Sequence, residues 1–109
     1  FRSPTDFAAL RQTTPGLKVL DARTREEHEA VTIPGAILMT QEVVQEAFSH
    51  WDKTAPLVLY DHTGARSLDA VAYFLGHGFT EAKCLAGGID AYSREIEPSL
   101  PRYHLELEA

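Results

Sequence analysis

Short apolar runs alternate along the chain with segments whose apolar residues recur at helical spacing. Lys18-Val19-Leu20-Asp21 is a short β-branched and apolar run that reads as a buried strand, and Leu57-Val58-Leu59-Tyr60 is an apolar run with no polar alternation, the pattern of strands buried on both faces in a parallel sheet. Ile37-Leu38-Met39 and Ala82 to Leu85 read as two further strands. Ser3-Pro4 opens a first helix, the serine as cap and the proline pre-set at the first helical position. That helix carries Phe7, Ala8 and Leu10 and stops before Pro15-Gly16. Thr24-Arg25-Glu26-Glu27 is a capping box for a second helix, from Arg25 to about Ala30. Thr40 caps a third, bearing Val43, Val44, Ala47 and Phe48. Arg66 begins the longest, with Leu68, Val71, Phe74 and Leu75 as its core stripe and Gly78 as its stop. After Gly87-Gly88 a short helix runs through Ile89, Tyr92 and Ile96. Strand and helix in alternation predict an α/β sandwich around a mainly parallel sheet.

A length of 109 residues makes this one domain, with the core expected over residues 1–103 and an acidic tail, 104–109, beyond Pro98 and Pro101. The net charge of −6 argues against a nucleic-acid partner and against anionic membrane surfaces. No apolar run approaches the roughly 20 residues that span a bilayer. Cys84 is the only cysteine, which excludes an internal disulfide and any multi-cysteine metal site and favours a reducing, cytoplasmic setting. His28, His50, His62, His77 and His104 are scattered without metal-ligand spacing and are expected to be solvated. Neither metal nor cofactor is expected. With no initiator Met and no signal-peptide core, the chain reads as a piece of a longer protein.

Candidate chemistry concentrates after Tyr60. In parallel sheets, ligands sit beyond the carboxyl ends of the strands, where loops turn into helices. Asp61-His62-Thr63-Gly64-Ala65-Arg66-Ser67 is such a junction. A loop wrapping into a helix start aims several backbone N–H groups at one point and makes an anion cradle. Gly64 permits the tight curvature, and Arg66 adds a fixed charge. Arg66 is expected to face a carboxylate, with Asp61 or Asp21 as partner, or a ligand. Asp21 and Arg23 read as a structural pair, and Cys84 as a buried strand thiol whose only activating neighbour in sequence is Lys83.

The loop resembles the active-site loop of the rhodanese family, Cys-x-x-Gly-x-Arg-Ser. Asp21-Ala22-Arg23 is similar to the family's Asp-x-Arg, and Ile33-Pro34-Gly35-Ala36 to its His-Ile-Pro-Gly-Ala. Gly78-Phe79 and Leu85-Ala86-Gly87-Gly88-Ile89-Asp90-Ala91-Tyr92 resemble the Gly-Phe and Leu-x-Gly-Gly-x-x-x-Trp segments near the end. The resemblance implies a rhodanese-like three-layer sandwich with a five-stranded, mostly parallel sheet flanked by helices. It also implies sulfane-sulfur transfer through a cysteine persulfide. The loop length matches sulfurtransferases, whereas related dual-specificity phosphatases have one residue more.

Three positions depart from the pattern: Asp61 stands at the place of the nucleophilic cysteine, Thr32 at that of the histidine, and Tyr92 at that of the closing tryptophan. A carboxylate has no sulfur-carrying chemistry comparable to a thiolate's. Loop amides, a helix N-terminus and Arg66 are expected to keep Asp61 ionised, a built-in anion within the cradle. The expectation is a catalytically inactive binding or regulatory module. The alternative is an active sulfurtransferase or hydrolase using Asp61, His62 or Cys84. The loop together with Glu97-Pro98-Ser99-Leu100-Pro101-Arg102-Tyr103 resembles rhodanese-like domains attached to monothiol glutaredoxins. That implies a fused glutaredoxin-like domain or another thiol-redox protein as partner.

Overall fold

A computed structural model describes residues 1–64 and 67–100. The chain order is α1 (Pro4–Thr13), β1 (Lys18–Asp21), α2 (Arg25–Ala30), β2 (Ile37–Leu38), α3 (Gln41–His50), β3 (Leu57–Tyr60), α4 (Ser67–Gly76), β4 (Ala82–Cys84) and α5 (Gly88–Glu95). Local signals explain most of these boundaries. The Ser3 hydroxyl accepts from Asp6 N–H at the start of α1, and Thr40 does the same for Val43 at α3. Thr24 and Glu27 satisfy each other's backbone donors in the expected capping box of α2. Gly78, at φ 93°, ends the turn after α4 in a backbone conformation that side chains resist.

The four strands lie in the order β2-β1-β3-β4, all parallel. Alternate residues of β3 feed two separate cores. Val58 and Tyr60 pack with Phe7 of α1 and Ile89 and Tyr92 of α5. Leu57 and Leu59 pack with Ala47 of α3 and Val71 and Phe74 of α4 on the opposite face. The sheet is therefore a middle layer between helices, the three-layer α/β sandwich that the alternation implies. All four residues of β3 are buried, and each large apolar side chain there is worth about 1.5–3 kcal/mol of burial.

Two expectations require correction. Five strands are expected, and four are present among the described residues. The sequence holds only four apolar runs, and the additional pairing is a single parallel bridge between Arg2 and Leu85 at the β4 edge. Leu68 and Leu75, assigned to the core stripe of α4, are 45% and 47% exposed. The buried stripe is Ser67, Val71 and Phe74, one helical step around. The described part of α4 has 10 residues, as α1 and α3 do, and its expected start at Arg66 lies outside the described residues. Ala65, Arg66 and the tail 104–109, with His104, lie outside the described residues, as do Pro101, Arg102 and Tyr103.

Candidate functional site

β3 delivers Asp61 to the carboxyl end of the sheet, and its side chain turns back into the loop rather than out to solvent. The residue is 2% exposed. One carboxylate oxygen accepts from Gly64 N–H, and the other accepts from Ser67 N–H at 3.0 Å. Ser67 opens α4, so Asp61 takes up a donor at that helix's N-terminus. The Ser67 hydroxyl donates to the Gly64 carbonyl at 3.4 Å, which explains why a polar residue is fully buried here.

A second helix closes the loop from the other side. Ile89 N–H donates to the Asp61 carbonyl at 2.9 Å, and Asp90 N–H donates to the His62 carbonyl at 3.1 Å. Two N–H groups in the first turn of α5 are thus spent on the loop's own backbone. This close approach depends on Gly88, at φ 63°, where a Cβ would stand 2.4 Å from the Asp61 carbonyl oxygen and 2.5 Å from that of His62. Gly64, at φ 100°, backs onto Gly87 in the same way, with a Cβ position 3.1 Å from the Gly87 nitrogen. His62 is half-buried and Thr63 exposed at the mouth. The expected partnership of Arg66 with Asp61 or Asp21 lies outside the described residues.

Gly88→Ala is expected to cost about 2–4 kcal/mol, a left-handed-backbone penalty plus overpacking against the loop. Gly35→Ala is the control: Gly35 also has a positive φ, 86°, but nothing lies within 4 Å of its Cβ position. It should lose only the backbone part, about 1–2 kcal/mol. Urea denaturation of the two variants measures the difference, which belongs to the loop contact.

Next to the loop, the end of β1 holds a buried charge network. Asp21 accepts from Arg23 Nε at 2.8 Å, from Arg23 Nη2 at 2.6 Å, and from the Arg23 backbone N–H at 2.9 Å. Both side chains are fully buried, as the structural-pair reading expects. The Tyr60 hydroxyl donates to Asp21 at 3.0 Å and accepts from Ile33 N–H at 3.3 Å. Burial pushes the Asp21 carboxyl up, but hydrogen bonds from Arg23 and His28 outweigh it and hold the group below its ordinary value of 3.8. Burial, reinforced by the Asp21 charge, pushes the Tyr60 phenol well above its ordinary range.

His28 corrects a sequence reading. It is not simply solvated: Nδ1 lies 2.8 Å from Asp21 Oδ2, and the side chain is 22% exposed. The available signal is its place in a helix whose capping box fixes the start, which orients the fourth residue toward the end of β1. His50 pairs with Glu46 at the surface, and the exposed His77 stacks on Phe48 with ring centroids 4.4 Å apart. No group of three or more metal-ligating side chains occurs among the described residues. Thr32 donates to the His28 carbonyl. Tyr92 is a core residue, edge-on to Phe7 with centroids 5.6 Å apart and donating to Glu97 at 3.0 Å.

Cys84 lies beneath the loop, 2% exposed. Burial pushes its thiol up, and the Asp61 charge adds to that. The amino-terminal charge and the Ser67 hydroxyl pull the other way, and the net shift is upward. Its activating neighbours are therefore not Lys83, as sequence adjacency suggests, and they do not prevail.

The site is thus a loop at the carboxyl end of a central strand of a parallel α/β sandwich, held between the first residues of α4 and α5. The chain belongs to the rhodanese-like domain family, whose family model matches residues 3–95. Over 85 residues it is 32% identical to a protein of Allochromatium vinosum named a sulfurtransferase, covering 78% of this chain and 79% of that one. It is 33% identical over 89 residues to the probable adenylyltransferase/sulfurtransferase MoeZ of Mycobacterium tuberculosis, covering 80% of this chain. The chain spans only 23% of the length of MoeZ. The structure of the human single-domain sulfurtransferase TSTD1 superimposes with a TM-score of 0.72 over 85% of this chain and 94% of that one, at 23% identity, a likeness of fold.

Proposed function

We propose that this rhodanese-like domain does not turn over sulfur and serves as a binding or regulatory module, with Asp61 standing where the family carries its nucleophilic cysteine. The observation that carries this reading is the burial of the Asp61 carboxylate, with its two oxygens accepting from Gly64 and Ser67 N–H. These are donors that a substrate anion or a persulfide would need, and an internal anion already uses them. A carboxylate oxygen does not carry sulfane sulfur, so the fold retains the cradle without the chemistry. Cys84 does not replace the missing thiol, because its burial and raised pKa keep it protonated and out of reach.

The resemblance of the loop and of the segment from Glu97 to glutaredoxin-linked domains supports a thiol-redox partner, either fused or separate. The single, buried thiol suits a reducing cytoplasmic setting. No helix among the described residues is long and apolar enough to cross a membrane.

Incubation with thiosulfate and cyanide tests the proposal. Thiocyanate formation is expected to stay at the level of the protein-free control, and intact-mass measurement is expected to show no added sulfur atom. Clear turnover would refute the proposal. A sulfur adduct mapped to Cys84 would instead favour the active-enzyme reading.

A further inference from the structure

The opposite end of the sheet, where β1 and β3 begin, holds a pocket of about 360 Å³. This is within the size range of small-molecule sites. Its walls are mainly apolar: Trp51 at the end of α3, Leu57 at the start of β3, Phe79 after α4, and the rings of Pro15 and Pro56. Lys18 stands at the rim with its ammonium 4.9 Å from the Trp51 ring centroid. Among the described residues Lys18 has no carboxylate partner.

The other charged groups at the pocket are already engaged. Asp52 accepts from the Thr54 N–H at 2.9 Å and from its hydroxyl at 2.7 Å. His50 pairs with Glu46 at 3.1 Å. Nearby, Lys53 donates to the Phe48 carbonyl at 2.9 Å. An ammonium without a carboxylate partner over an indole face, beside a mainly apolar slot lined by Pro15 and Pro56, selects a ligand that is flat, apolar and negatively charged at one end. The aromatic body replaces water against Trp51, and the anionic end completes the partner set of Lys18. The chain's net charge of −6 opposes indiscriminate anion binding, so selectivity has to come from this local arrangement.

We propose that this pocket is a binding site for a small planar aromatic anion, its ring against Trp51 and its charge at Lys18. The site is separated from Asp61 by the full length of the strands, and it stands or falls independently of the chemistry there.

Trp51 is the only tryptophan, so nitrogen-labelled protein shows one indole N–H resonance. Titration with naphthoate is expected to shift that resonance saturably. Lys18→Gln, at an exposed position that tolerates the change, is expected to weaken naphthoate about threefold to fivefold, the worth of one exposed charge pair. Naphthamide and naphthylmethylammonium, with the same rings but neutral and cationic, are expected to bind more weakly than naphthoate to the parent protein. Absence of a saturable shift overturns the proposal. So does an affinity for naphthoate unchanged by Lys18→Gln, or a cation that binds as tightly as the acid.

Discussion

Asp61→Cys is expected to install persulfide formation in this domain. The substituted thiol would stand close to the Gly64 and Ser67 N–H groups that now serve the carboxylate. Amide donors and a helix N-terminus favour the thiolate, which is the reactive form. That thiolate attacks the outer sulfur of thiosulfate; the S–S bond breaks and sulfite leaves with the electron pair. Cyanide then takes the outer sulfur from the persulfide, giving thiocyanate and returning the thiolate. Thiocyanate formation is expected to exceed that of the parent by at least about a hundredfold, the low end of what a positioned catalytic group contributes. Intact mass should increase by one sulfur atom after thiosulfate and return after cyanide. Asp61→Ser, with the same loop but no sulfur, should do neither. A folded Asp61→Cys protein that forms no persulfide would show that the loop differs from a working cradle in more than one atom type.

The largest stability effect is expected at Asp21. Asp21→Ala leaves the fully buried Arg23 guanidinium without its counter-ion, a loss of about 3–5 kcal/mol. Against a total of about 5–15 kcal/mol for a domain, that brings the protein close to unfolding. A double replacement, Asp21→Leu with Arg23→Met, should recover much of the loss, because an apolar pair of similar bulk no longer strands a charge. Urea midpoints of the parent and the two variants test this. The parent's own pH dependence carries the same signature. Because the folded-state pKa of Asp21 is lowered, its contribution is complete above the ordinary value of 3.8. It is lost as pH falls through the lower folded value, so acid should destabilise the parent in that window more than the double variant.

These two experiments interrogate neighbouring strand ends that share one architecture. Asp21 and Tyr60 are in-register partners on β1 and β3, and Asp61 follows directly. The rigid charge network therefore sets the end of β3 from which the loop departs. Tyr60, the residue just before Asp61, ties this end of β3 down: its hydroxyl bridges Asp21 and the backbone of Ile33.

Much of this was readable residue by residue. The caps at Ser3, Thr24 and Thr40 each act on a backbone donor three positions away, and the uninterrupted run from Leu57 to Tyr60 announces a doubly buried strand. The position of Asp61 at the strand-to-helix junction follows from the same local grammar. Other features depend on segments distant in sequence. Gly88 matters because α5 presses onto the carbonyls of residues 61 and 62, some 26 positions earlier. Leu68 and Leu75 fit a helical period but face outward, since periodicity identifies a stripe only to within one step around the axis.

Composition and local pattern thus established the α/β alternation, the helix caps and the acid at the head of the loop, because each rests on interactions within a few residues. Packing of the chain on itself established which side chains meet: His28 and Tyr60 on Asp21, Ser67 under Asp61, and an open pocket around Trp51. The physical reason is that burial and charge pairing are properties of a neighbourhood in space, and a parallel sheet assembles each neighbourhood from strands that lie far apart along the chain.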